Sequence, residues 1–94
     1  MFSRIYNNVA KYNIQIKPSA VKELERIPYK KDRRKIVNRI QTLADNPRPV
    51  GSKKLAGQER YRIRQGWYRV IYEVNDLEIV IYVVKIGHRK HVYR

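Results

Sequence analysis

Cysteine is missing from this chain altogether. Its absence removes both a disulfide framework and a thiolate metal site, and it makes the cytoplasm the expected compartment. No apolar run approaches the roughly 18 residues that a membrane span needs, so no membrane association is expected. The opening stretch, MFSRIYNNVAKYN, lacks the continuous apolar block of a secretory signal. Acidic residues are scarce, with 8 against 22 lysines and arginines. The two histidines, His88 and His91, are three apart near the chain end, a weak ligand pair with no metal constellation around it. No glycine-rich phosphate loop, paired carboxylates or Ser-His-Asp pattern stands out. Neither a metal nor a cofactor is expected.

What is abundant is positive charge. The net value is +14, and both halves contribute: residues 1–50 hold 12 basic and 4 acidic groups, and residues 51–94 hold 10 and 4. A field of this sign, spread over the chain, attracts phosphate backbones or an acidic protein partner without distinguishing between them. At 94 residues, 43% of them hydrophobic, the chain is expected to be one small domain, with residues 1–11 a variable N-terminal extension.

The spacing of apolar residues predicts the elements. YNIQIK reads as a strand, because Tyr12, Ile14 and Ile16 alternate with polar residues. Pro18 and Ser19 open a helix with Ser19 as its N-cap, and Ala20, Leu24 and Ile27 lie on one face before Pro28 ends it. A second helix runs from about Tyr29 to Ala44, with Ile36, Ile40 and Leu43 as its apolar stripe, and NPRP stops it. The nearly immediate link makes the two an antiparallel hairpin. Strands follow: a short one around SKKLAG, broken by Gly57, then RYRIR, WYRVIYEV and EIVIYVVKI. Two-residue turns are predicted at Gln65-Gly66 and Asn75-Asp76. The class is α+β, β-α-α then an antiparallel meander, a curved sheet with the helical hairpin on one face.

Strand parity then sorts the arginines. Tyr61 and Ile63 point one way and Arg60, Arg62 and Arg64 the other. In the next strand Tyr68, Val70, Tyr72 and Val74 form the apolar face, leaving Trp67, Arg69, Ile71 and Glu73 opposite. With tight turns, Arg64 pairs with Trp67, Arg62 lies across from Arg69, and Arg69 across from Tyr82. Like charges directly opposite destabilise a sheet, so Arg62, Arg64 and Arg69 point to an anion site rather than to folding. Arginine forks match phosphate oxygens, and the rings of Trp67 and Tyr82 beside them can stack on bases. Lys53 and Lys54 are read as nonspecific RNA contacts. Gly87 permits a bend that brings the tail GHRKHVYR back over this face, carrying His88, Arg89, His91 and Tyr93. Chemistry on such a site would be metal-free phosphoryl transfer on RNA, whose own 2′-hydroxyl attacks the adjacent phosphorus. The protein then supplies alignment, cations and a proton donor for the departing 5′-oxygen.

The segments KKLAGQERYRIRQGWYRVIYEV and VVKIGHRKHVYR, together with the Lys-Glu-Leu-x-x-Ile pattern of the first helix, resemble the RelE family of toxins within the RelE/ParE superfamily. The resemblance spans about Tyr12 to Arg94. It implies a ribosome-dependent messenger RNA endonuclease that cuts in the A site and is inhibited by a cognate acidic antitoxin. It places the family's basic pair on Arg62 and Arg64, its arginine after the turn on Arg69, its tail arginine on Arg89 and its C-terminal tyrosine on Tyr93. Where the best-studied pattern has lysines, this chain has arginines, which cannot act as a base. The expectation is that Arg62 and Arg64 act by charge alone, while His88 or Tyr93 handles the proton. Two other readings compete: a ParE-like inhibitor of DNA gyrase without RNA cleavage, and a basic RNA-binding module with no activity.

Overall fold

The computed structural model describes residues 11–55 and 59–90. Strand β1 is Asn13–Ile16. The helical hairpin is α1, Pro18–Glu25, and α2, Lys30–Thr42. The remaining strands are β2, Lys53–Lys54; β3, Arg60–Gln65; β4, Tyr68–Asn75; and β5, Val80–His88. They form one mixed sheet in the order β1-β5-β4-β3-β2. The predicted antiparallel meander is present, and β1 joins it in parallel, alongside the first half of β5. The N-cap of helix α1 lies two residues earlier than expected. Lys17 occupies the N-cap without a side-chain hydrogen bond, and Pro18 is the first helical residue. Proline at that position brings a helical φ and lacks the N–H a cap would satisfy, so Ser19 falls inside the first turn.

One face of the sheet holds the core. Ala20, Ile36, Ile40 and Leu43 of the hairpin meet Ile63, Val70, Tyr72 and Val83 of the strands, all buried. Each such large apolar side chain contributes about 1.5–3 kcal/mol through burial. Tyr72 is fully buried, its hydroxyl donates to the Pro47 carbonyl at 2.6 Å, and burial pushes its pKa up to about 12. Its ring stacks on Tyr61 with centroids 5.8 Å apart. The Tyr61 hydroxyl accepts from Arg48 Nε at 2.8 Å, and Arg48 Nη2 donates to Asp76 Oδ2 at 2.9 Å. Asp76 also accepts from the Tyr12 hydroxyl, at 2.7 Å, and these two donors hold its carboxyl below the usual range. The loop before β2 is thereby pinned to the turn after β4.

Both hairpin turns differ from expectation. Gln65 pairs with Tyr68, so the central residues are Gly66-Trp67 rather than Gln65-Gly66. Gly66 has φ +59°, and Trp67 is not left-handed. A positive φ at the first central position alone is what a type II′ turn demands, and glycine meets it there without strain. Between β4 and β5, Asn75 pairs with Val80, leaving the four residues Asp76–Ile79 as the turn. Asn75 Oδ1 accepts the Glu78 N–H at 2.9 Å, an Asx-type closure that competes with a two-residue turn. Ile79 takes φ +57°, an uncommon conformation for a β-branched residue.

Candidate nucleic-acid interface

The sheet face turned away from the helices carries the arginines. Arg64 lies directly across from Arg69, Arg62 across from Ile71, and Lys53 of β2 across from Arg62. The predicted Arg62–Arg69 and Arg64–Trp67 pairings are therefore corrected by two residues along the ladder. A slide of two preserves which face each side chain takes, so Lys53, Arg62, Arg64 and Arg69 still share one face. The predicted Arg69–Tyr82 pairing is also corrected: Arg69 faces Gly87, and Tyr82 faces Glu73 at the far end of the strand. The longer turn accounts for the offset, and an irregularity between Ile71 and Tyr72 leaves Val84 as an extra residue in β5. Ile71 sits on the arginine face yet is only 5% exposed. It is flanked in register by Arg62 and Lys85, long side chains whose apolar stems are able to cover a neighbour.

The same strands carry their own contrast. Arg60, four residues from Arg64 on β3, faces Glu73 and forms an ion pair with it at 2.6 Å. Opposite charges are matched at one end of the ladder, while two guanidinium groups are placed together at the other. Two shallow cavities of about 280 and 430 Å³ lie toward the Glu73 end, with Tyr82 lining both.

The tail meets the arginine end of the sheet. Gly87 was expected to bend, but it lies inside β5, which runs on to His88. The Arg89 N–H donates to the Trp67 carbonyl at 2.8 Å, and the Arg89 guanidinium sits 4.7 Å from the centre of the Trp67 ring. Arg69 Nη1 donates to the Arg89 carbonyl at 3.4 Å. Arg69, Arg89 and Trp67 are therefore brought together, and Trp67 is 61% exposed. His88 is placed differently. It lies across from Tyr68, on the helix side of β4, rather than curling over the arginines. Its ring is parallel to that of Trp67 with centroids 6.4 Å apart, and edge-on to that of Tyr68 at 5.9 Å. Lys54 pairs with Glu59 at 2.8 Å, whereas Lys53 is exposed next to Arg62. His91 and Tyr93 lie outside the described residues, as does Gly57. Among the described residues no three of His, Cys, Asp or Glu group as cation ligands would, and no helix is long and apolar enough to cross a membrane.

Two features were not anticipated from sequence. Helix α2 holds six cations, Lys30, Lys31, Arg33, Arg34, Lys35 and Arg39, against the single acid Asp32. Glu23 of α1 contacts β5 at the bulge: its carboxylate accepts from the Ile86 N–H at 3.0 Å and from Lys85 Nζ at 3.1 Å. The run KKDRRK was a legible signal for the first. Nothing in local spacing marks the second, which joins residues 63 apart.

Comparison with known proteins adds the family. The model described as the ParE toxin of the type II toxin–antitoxin system parDE matches residues 14–93. A putative toxin RelE1 of Methanocaldococcus jannaschii is 33% identical over 88 residues, which are 89% of this chain and 97% of the relative. The crystal structure of the archaeal RelE–RelB complex from Pyrococcus horikoshii superposes with a TM-score of 0.73 at 31% identity, covering 87% of this chain and 99% of that one. The isolated Escherichia coli RelE toxin gives a TM-score of 0.72 at 25% identity, covering 82% of this chain and 83% of that one. With the arginine-bearing sheet and matching fold already described, these likenesses establish that the chain belongs to the RelE family of toxins, within the RelE/ParE superfamily of type II toxin–antitoxin systems.

Proposed function

We propose that this chain is a ribosome-dependent messenger RNA endonuclease. The reading rests chiefly on the Arg64–Arg69 pair, set against the neutralised Arg60–Glu73 pair on the same two strands. Two opposed guanidiniums suit a phosphodiester, because its non-bridging oxygens accept from their paired N–H donors and its negative charge offsets part of their repulsion. In the reaction the RNA 2′-hydroxyl attacks the adjacent phosphorus and the bond to the 5′-oxygen breaks. The products are a 2′,3′-cyclic phosphate and a 5′-hydroxyl. Arg64, Arg69 and Arg89 stabilise the charge that builds on the phosphorane oxygens. Arg62 and Lys53 hold the neighbouring backbone, Lys54 contributes more weakly beside Glu59, and Trp67 offers a ring for a base to stack on. A guanidinium does not give up its proton near neutrality, so the proton donor is assigned to the tail, to Tyr93 rather than to His88, which lies on the helix side of β4. The cationic outer face of α2 provides a second contact for ribosomal RNA. A cognate acidic antitoxin is the expected inhibitor, consistent with the RelB partner in the P. horikoshii structure.

The family description naming ParE favours one competing reading, a gyrase inhibitor. Induced expression with primer extension on a translated messenger separates the two. Codon-positioned cuts that fall about a hundredfold or more with Arg69→Ala support the nuclease. Growth arrest with intact messenger and DNA damage would support gyrase as the target.

A further inference from the structure

We infer that Glu23 is a positioning residue for the site, acting as a one-residue substitute for the missing edge of the sheet. Strand β1 accompanies β5 only from Val80 to Val83, and the last contact on that side is the Lys17 N–H to the Val83 carbonyl, at 2.9 Å. Beyond it β5 continues for five residues, through Val84 to His88, and among the described residues no strand lies on its outer edge there. That stretch begins at the bulge, where the ladder with β4 is locally disrupted. It ends at Gly87, across from Arg69, and His88, across from Tyr68.

Glu23 meets this edge from α1. One carboxylate oxygen accepts the outward Ile86 N–H at 3.0 Å, supplying the acceptor a neighbouring strand would have offered. The other oxygen accepts from Lys85 Nζ at 3.1 Å. Two adjacent residues of β5 are thus tied to a helix that the core holds through Ala20. The tie lies one to three residues before Gly87, His88 and Arg89. A charged acceptor makes the stronger bond to a backbone N–H, and a helix-borne group can be held more firmly than one on a loop. Its loss would let the end of β5 shift, and Arg89 with it, while Arg62 and Arg64 stayed on β3, which pairs with β2 and β4.

The kinetic consequence rests on the nuclease reading, and the structural consequence does not. Trp67 is the only tryptophan, and it lies against Arg89 and His88, so its fluorescence reports the geometry of the tail directly. In the folded Glu23→Ala protein, Trp67 should become more accessible to acrylamide and its emission should change. Glu23→Gln keeps an acceptor for Ile86 and should restore most of the wild-type signal. In ribosome-dependent cleavage, Glu23→Ala should lower kcat about 10- to 100-fold with little change in KM, and Glu23→Gln should recover most of it. Should Glu23→Ala fail to fold, Glu23→Asp, one methylene too short for both contacts, should reproduce the fluorescence change. A folded Glu23→Ala or Glu23→Asp variant with wild-type Trp67 emission and accessibility would overturn the inference. So would unchanged kcat alongside an Arg69→Ala variant that has lost cleavage. If the wild-type protein cuts nothing, the nuclease reading fails, and the fluorescence comparison still decides the role of Glu23.

Discussion

Arg60 and Arg64 leave β3 on the same side, yet one meets a glutamate and the other an arginine. Parity made the arginine face legible from sequence, because a strand's alternation survives any slide by two residues. Which arginine faced which was not legible, since that depends on where the turn residues sit. The like-charged pair bears on stability as well as activity. Directly opposed like charges cost a sheet a few tenths to about 1 kcal/mol. Arg64→Gln should therefore raise folding stability by about 0.5 kcal/mol in denaturant titrations while lowering cleavage. A destabilised Arg64→Gln protein would mean that the pair is satisfied within the fold and is not held ready for an anion.

At the scale of elements, β5 was the least legible from sequence. Its apolar run was clear, but its start moved from Glu78 to Val80 because the Asn75 side chain closes a longer turn on Glu78. Its far end, expected to break at Gly87, stays in the sheet, where pairing with β4 and the carboxylate of Glu23 both hold it. Those partners are distant in the chain, so local pattern carried no sign of them. Helix α2 was legible in extent, but apart from Arg33, which donates to the Ile27 carbonyl, its charge works against the helix. Lys30 and Arg34, and Lys31 and Lys35, are like charges four apart, and Lys30 and Lys31 sit at the positive end of the helix dipole. Burial of Ile36 and Ile40 sustains the helix in spite of this. Replacing Lys30, Lys31, Arg34 and Lys35 with glutamine should reduce the salt dependence of ribosome binding. The slope of log K against log salt should fall by roughly 0.7–0.9 for each phosphate that is no longer neutralised. An unchanged slope would remove α2 from the RNA-facing surface.

For the molecule as a whole, the hairpin-on-sheet arrangement followed from periodicity, and the parallel seat of β1 did not, because short edge strands carry no record of direction. The two sides of the sheet divide the work. The helix side supplies the apolar burial that holds the fold, which frees the other side to carry opposed cations next to an exposed tryptophan. The tail closes that surface through Arg89, on Trp67 and Arg69. On the nuclease reading, this surface directs the RNA's own 2′-hydroxyl onto the adjacent phosphorus. The most direct test is the chemistry of the fragment ends that purified protein makes from messenger on programmed ribosomes. The expected ends are a 2′,3′-cyclic phosphate and a 5′-hydroxyl, with no cut where the nucleotide 5′ to the break is a 2′-deoxynucleotide. Fragments bearing a 3′-hydroxyl and a 5′-phosphate, or cleavage that survives the deoxy substitution, would contradict it.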